Sequence, residues 1–228
     1  MGNHSTSIKK IGLFGGSFNP VHLGHLRAAL EVRIAFGLET VLMVPSARPP
    51  HKPAKNMAPA KDRLEMVRLA TSVTPGLSES DMEFRHPGPS FTVETIERFQ
   101  AAVDDVRVHL IIGLDAFREY DTWHRYPDLF RLAPLIILLR PGKKVLDLNE
   151  AGNLVERQLA SNISDQYHFV PSPPRLIHPD LQPIHIFEVT RMNISSSHIR
   201  RLAKKHVSIQ FLVPERVNRY IAKQGLYQ

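Results

Sequence analysis

Residues 11–25 read Ile11-Gly12-Leu13-Phe14-Gly15-Gly16-Ser17-Phe18-Asn19-Pro20-Val21-His22-Leu23-Gly24-His25. The apolar run Ile11–Phe14 predicts a buried strand, and Gly15-Gly16 ends it. Two glycines let the backbone turn sharply and lie close to a ligand. A helix is predicted to follow, and the free N–H groups and dipole at its start favour anions. In an open parallel sheet, ligands sit beyond the carboxyl ends of the strands. The stretch therefore has the position and the chemistry of a nucleotide-phosphate site. It is neither the Gly-x-Gly-x-x-Gly fingerprint nor a P-loop, since no Gly-Lys-Ser/Thr follows. His22 and His25 are three apart, so they share one face of the first helical turn. Imidazoles there can donate to phosphate oxygens. Gly24 between them leaves room for a ligand against the helix. A metal role needs further ligands, and none stands at a telling spacing.

The same alternation of strand and helix continues outward. Val41–Val44 stops at Pro45, Val108–Ile112 stops at Gly113, and Leu135–Leu139 stops before Pro141. Short continuous aliphatic runs suit strands buried on both faces of a parallel sheet. Leu26–Phe36 is Ala-rich and closes at Gly37, a helix stop signal. Leu64, Val67 and Ala70 are spaced for one helix face, as are Val93, Ile96, Phe99 and Val103. Alternating units of this kind predict a doubly wound α/β sheet. Residues 48–60 are basic, Pro-rich and without period, which predicts a long substrate loop. Pro171–Pro183, with five prolines, also reads as loop. Ser195–Lys205 and Pro214–Lys223 read as two short helices, with Pro214 suited to the first helical position. The expected organisation is a flexible tail at 1–9, a nucleotide-binding domain at 10–190, and a small helical C-terminal subdomain at 191–228 that completes one structural domain.

The 228 residues suffice for a real core. The chain has no Cys, which excludes a disulfide scaffold, a thiolate nucleophile and a Cys zinc site. No apolar run approaches the roughly 18 residues of a membrane span. Met1–Lys10 lacks the apolar core of a secretory signal. The expected setting is cytoplasmic, away from any membrane.

The formal net charge of +7 points to anionic partners. All of the surplus lies in residues 189–228, which carry Arg191, Arg200, Arg201, Lys204, Lys205, Arg216, Arg219 and Lys223 against Glu215 alone. A nucleic-acid module would need aromatics interleaved with these charges. Only Phe211, Tyr220 and Tyr227 stand there, and Tyr220 fits the apolar helix face of Val217 and Ile221. A small phosphorylated ligand is the better expectation.

Gly-Gly-Ser-Phe-Asn-Pro-x-His-x-Gly-His resembles the first signature of the nucleotidyltransferase α/β-phosphodiesterase superfamily. The second signature of that superfamily is Ile-Ser-Ser/Thr-Thr-x-Ile-Arg. It is similar to Ile194-Ser195-Ser196-Ser197-His198-Ile199-Arg200, with Ser197 where Thr is commoner. The two lie about 170 residues apart in the expected order. Within the superfamily the chain most resembles the bacterial nicotinate-nucleotide adenylyltransferases, from about Lys10 to Tyr227. The matching pieces are Pro49-Pro50-His51-Lys52, Pro89-Ser90-Phe91-Thr92, Ile112-Gly113-Leu114-Asp115, Thr122-Trp123-His124 and the ending Val213-Pro214-Glu215 to Gly225-Leu226-Tyr227.

The resemblance implies a Rossmann-like fold and adenylyl transfer from ATP to nicotinate mononucleotide, with Mg²⁺ carried by ATP and no tightly bound organic cofactor. It implies that Gly15, Gly16, Ser17 and Phe18 cradle the reacting phosphates through backbone groups. It implies that His22, His25 and Arg200 contact ATP phosphates as catalytic groups, with Ser196 and Ser197 beside them. Ser195–Ser197 before a helix also reads as plain N-capping. Gly113 and Asp115 are expected at the ATP ribose, although Asp115 also reads as an N-cap. Lys52 is expected to close over phosphate, and Arg140 is a further phosphate candidate. Trp123 is expected to stack on the pyridine ring, with Ser17, Thr92 and His124 also on the mononucleotide side. The alternative substrates are nicotinamide mononucleotide, phosphopantetheine or a CTP-linked alcohol. A monomer and a homodimer are both compatible with the sequence.

Overall fold

The structure, a computed structural model, describes residues 8–50, 57–139 and 146–228. Eight strands form one sheet: β1 (Lys9–Gly16), β2 (Thr40–Pro45), β3 (Leu77–Glu79), β4 (Val106–Gly113), β5 (Leu135–Leu139), β6 (His168–Pro171), β7 (Pro174–Ile177) and β8 (Ile184–Glu188). Their order is β3-β2-β1-β4-β5-β8-β7-β6. The six strands from β3 to β8 in that order run parallel. β7 and β6 add an antiparallel edge. The chain winds outward from β1 to β3, then returns to place β4 on the other side of β1. That reversal opens a crevice beyond the carboxyl ends of β1 and β4.

The helices that cover the sheet are α1 (Leu23–Ala35), α2 (Ala60–Thr71), α3 (Thr92–Ala102), α4 (Leu114–Phe117), α5 (Tyr126–Leu132), α6 (Leu148–Asn162), α7 (Ser196–Lys204) and α8 (Glu215–Gln224). Strand alternation sends Leu13, Leu110 and Ile137 to one face, where Val93, Ile96, Phe130 and Val155 from α3, α5 and α6 meet them. Phe14, Ile111 and Ile136 point to the other face, against Ala29 and Val32 of α1, Met66, Val67 and Ala70 of α2, Ile199 of α7, and Val217 and Ile221 of α8. The C-terminal helices thus share a core with α1 and α2.

The doubly wound sheet expected from the aliphatic runs is present, with three differences. Gly15 and Gly16 are the last residues of β1 rather than the turn itself. α1 begins at Leu23, three residues before the Ala-rich stretch, because His22 already serves as its N-cap. Pro171–Pro183, read as loop, instead contributes a hairpin with Pro171 opposite Pro174 at its tight end. Prolines fit there because the closing positions of an edge hairpin can do without a ladder N–H. Smaller corrections are Val103, which caps α3 and is exposed, and Pro214, which precedes α8 as its N-cap. Lys9 belongs to β1, so the strand starts inside the expected tail.

His109 of β4 is 7% exposed on the α1 face of the sheet. Burial lowers its pKa from 6.5 to about 4; the charges of Arg107, His185 and Lys10 push the same way, and a hydrogen bond to the Arg107 main chain opposes them. His185 is lowered too, by burial and by Arg175 and Arg107. A folded-state pKa below the unfolded one means the unfolded chain takes up the proton first. Stability is therefore level above about pH 6.5 and falls below it, for His109 by at most about 1.4 kcal/mol per pH unit down to about pH 4, with His185 adding in the same direction. Urea unfolding at pH 7.5, 6 and 5 is expected to show this fall. His109→Gln is expected to flatten the slope, and an unchanged slope in that variant would assign the effect elsewhere.

Candidate active site

The loop between β1 and α1 spans Ser17 to His22. Phe18 has a positive φ of 41°, and its ring turns into the core at 2% exposure. It packs edge-on to Phe14 at 5.9 Å and to His25 at 5.1 Å. Phe18 can therefore offer a ligand only its backbone. A Cβ on Gly16 would come within 3.2 Å of the Phe18 ring, whereas one on Gly15 would meet nothing within 4 Å. Gly16 answers to packing, and Gly15 leaves the crevice floor open.

His22 and His25 stack with ring centroids 3.6 Å apart and planes 23° from parallel. The main-chain N–H of His22 donates to Nδ1 of His25 at 3.2 Å. That bond puts the proton of a neutral His25 on Nε2, leaving a donor at the outer end of the ring. Gly24 serves a different purpose from the one expected. A Cβ there would lie 3.2 Å from Nδ1 of His22, so the room it leaves is filled by the His22 imidazole.

The second signature docks directly on the first. Ser195 caps α7 by accepting from His198 N–H. The Ser196 hydroxyl donates to the Pro20 carbonyl at 2.8 Å. Arg200 Nη1 donates to the Asn19 carbonyl, also at 2.8 Å. Ser197 is exposed, its hydroxyl 3.3 Å from that of Ser195. The capping reading and the loop-holding reading both apply, to different serines.

Gly113 ends β4 beside β1 and caps α4, so Asp115 is not the cap; it stands exposed in the first turn of α4. Thr92 opens α3. His124 is exposed and stacks on Phe91 at 4.3 Å. Trp123 is half-buried against the core on the α3 side. This group is tied to the β2 end of the crevice, because Ser90 N–H donates to the Arg48 carbonyl at 3.0 Å and Arg48 N–H donates to the Ser90 hydroxyl at 3.1 Å. Lys52 and Arg140 lie outside the described residues.

Arg63, Asn19 and Glu83 hold this architecture together. Arg63 of α2 is 1% exposed. It donates to the carbonyls of Ser17, Ser46, Ala47 and Ala58 at 2.6 to 3.2 Å. Asn19, 4% exposed, accepts at Oδ1 from Ala58 N–H at 3.0 Å and from the Tyr227 hydroxyl at 2.7 Å. Glu83 accepts from Ala47 N–H and from the Thr95 hydroxyl. Burial raises the Glu83 carboxyl, opposed by its hydrogen bonds and by Arg63. No local signal marks these roles. The nearest hint is the Asn-Pro pair within the first signature.

Among the described residues no three His, Asp or Glu side chains converge as metal ligands. The donors gathered here are imidazoles, hydroxyls, guanidinium and backbone N–H groups, which suit phosphate oxygens. Two surface hollows of about 480 and 410 Å³ lie elsewhere, beside the start of β1 and around the turn from α2 into β3.

The family described as cytidylyltransferase-like matches residues 13–202. A probable nicotinate-nucleotide adenylyltransferase of Desulfatibacillum aliphaticivorans is 42% identical over 222 residues, covering 96% of this chain and 99% of its own. One of Pelobacter propionicus is 40% identical over 218 residues, covering 96% and 98%. The nicotinic acid mononucleotide adenylyltransferase of Plasmodium falciparum, solved with NaAD, superposes with a TM-score of 0.70 at 17% identity, over 96% of this chain and 97% of that one. The likeness to this last protein is one of fold.

Proposed function

The chain belongs to the cytidylyltransferase-like family and, within it, to the nicotinate-nucleotide adenylyltransferases, and from that premise we propose that it transfers the adenylyl group of ATP to nicotinate mononucleotide, forming nicotinate adenine dinucleotide and pyrophosphate on the way to NAD. One observation carries the residue assignment. Ser196 and Arg200 seat the second signature on the backbone of Asn19 and Pro20, beside the stacked His22 and His25. Two anion-binding helix starts thereby converge where the sheet order reverses.

The chemistry asks for alignment and charge stabilisation. A 5′-phosphate oxygen of the mononucleotide attacks the α-phosphorus of ATP in line. The new P–O bond forms as the bond to the β-phosphate bridging oxygen breaks, and pyrophosphate leaves. The attacking phosphate is already ionised at neutral pH, so the reaction calls for no general base. His22 and His25 donate to phosphate oxygens whose charge grows in the transition state. Gly15, Gly16, Ser17 and Phe18 contribute backbone groups to the same phosphates. Arg200 and Ser196 spend one donor each on Asn19 and Pro20, so the rest of the Arg200 fork, the Ser197 hydroxyl and the main-chain N–H groups at the start of α7 are left to face the β- and γ-phosphates. Gly113 and Asp115 border the ribose. Trp123, Thr92 and His124 receive the pyridine ring and its carboxylate, the last two through backbone groups. ATP would be taken with Mg²⁺, which would offset phosphate charge; the residues above bind and orient the phosphates themselves. We place the reaction in the cytoplasm.

Purified chain with ATP, Mg²⁺ and nicotinate mononucleotide is expected to release pyrophosphate, and to release it more slowly with nicotinamide mononucleotide. No pyrophosphate with either would overturn the reading. Equal rates would remove the preference for the carboxylate.

A further inference from the structure

Tyr227, the penultimate residue of the chain, hydrogen-bonds into the phosphate loop from the far end of the sequence. α8 ends at Gly225, whose φ of +60° turns the chain back. Leu226 N–H then donates to the Ile221 carbonyl at 3.1 Å. That reversal delivers the Tyr227 hydroxyl to Oδ1 of Asn19 at 2.7 Å. The phenol lies near the guanidinium groups of Arg63 and Arg200. Burial nevertheless pushes its pKa upward, with the two cations opposing the rise. The hydroxyl therefore keeps its proton and remains a donor at neutral pH.

Asn19 is where several constraints meet. Its side-chain oxygen takes Tyr227 and Ala58, and its main-chain oxygen takes Arg200. Ala58 is held a second time, at its carbonyl, by Arg63 Nε. Asn19, through its side chain and its main-chain carbonyl together, thus links the loop after β1, the approach to α2, and the helix that bears Arg200. Ala58 N–H and the Tyr227 hydroxyl grip that side-chain oxygen from distant parts of the chain.

We propose that Tyr227 is a positioning residue for the transfer reaction: through Asn19 it holds the Ser17–His22 loop and Arg200 in the geometry that aligns the reacting phosphates. The proposal rests on the adenylyltransferase reading for its kinetic consequence, but its structural half stands apart from it. A small displacement of a group that aligns reactants costs turnover more than binding.

α8 supplies its own control. Tyr220 makes an equally short bond, but to Asp62 of α2, at 2.7 Å. Tyr227→Phe is expected to lower kcat about tenfold, the scale of one hydrogen bond, with KM for both nucleotides little changed and the thermal midpoint lowered only as far as one lost hydrogen bond accounts for. Hydrogen exchange is expected to quicken at the amides of 17–22 and at Ala58. Tyr220→Phe is expected to lower the thermal midpoint while leaving kcat and those amides alone. Asn19→Ala combined with Tyr227→Phe is expected to cost no more kcat than Asn19→Ala by itself, since both remove the same link. Unchanged kcat in Tyr227→Phe would overturn the proposal. So would losses that track stability equally in both tyrosine variants. If the native chain forms no dinucleotide, the substrate reading fails by itself, and unchanged exchange at 17–22 and Ala58 would then overturn the structural half.

Discussion

His22→Ala is expected to cut turnover by two to three orders of magnitude in a protein that remains folded. Two polyanions must be brought together, and each well-placed donor to a developing oxyanion contributes about 10²–10³ in rate. His22 is 5% exposed, stands at the N-cap of α1 and is stacked on His25, so its ring is held in one place before substrate arrives. That preorganisation is what a water molecule in its place cannot supply. The ring is buried and fills the room that a Cβ on Gly24 would contest, so removing it leaves a small hole and a modest loss of stability. Pyrophosphate release measured beside thermal unfolding separates the two effects. A folded variant that retains near-normal turnover would exclude His22 from the reacting centre.

Arg63→Met is expected to be the most destabilising single change at the crevice, by roughly 3 kcal/mol or more. Methionine fills much of the same volume but offers no donor. Four carbonyls, those of Ser17, Ser46, Ala47 and Ala58, lose the guanidinium that now satisfies them. Burial lowers the Arg63 pKa, while Tyr227 and Glu83 favour its charge. Arg63→Lys is expected to recover only part of the loss, because one ammonium cannot reach carbonyls spread around a planar fork. Guanidinium unfolding gives the comparison. A midpoint within the error of the native protein would show that solvent replaces the lost bonds at no cost.

Much of the crevice was legible in the sequence because its signals are local. Gly15, Gly16, His22 and His25 fall within one strand-turn-helix unit, so spacing alone places them beyond a strand. Ser195–Arg200 likewise announces a helix start. The four long aliphatic runs became β1, β2, β4 and β5, since burial on both faces demands such runs. The short strands β3, β6, β7 and β8 escaped notice, as three to five residues carry too little pattern, and the prolines of 171–183 disguised a hairpin as loop. Gly24 shows a subtler limit: its smallness was legible, but whether a ligand or the neighbouring imidazole filled the room was not.

The sequence by itself determined that a Gly-Gly segment with two histidines follows the first buried strand and that a serine-rich helix start comes near the end. Both are properties of a few neighbouring residues and of backbone geometry. Only the tertiary structure decided that the two meet, and that Arg63, Asn19 and Tyr227 hold them. Arg63 and Ser17 are 46 positions apart, Arg200 and Asn19 181, Tyr227 and Asn19 208. Contacts over such separations follow from strand order and from which faces of α2, α7 and α8 pack on the sheet. No spacing rule within one segment encodes them.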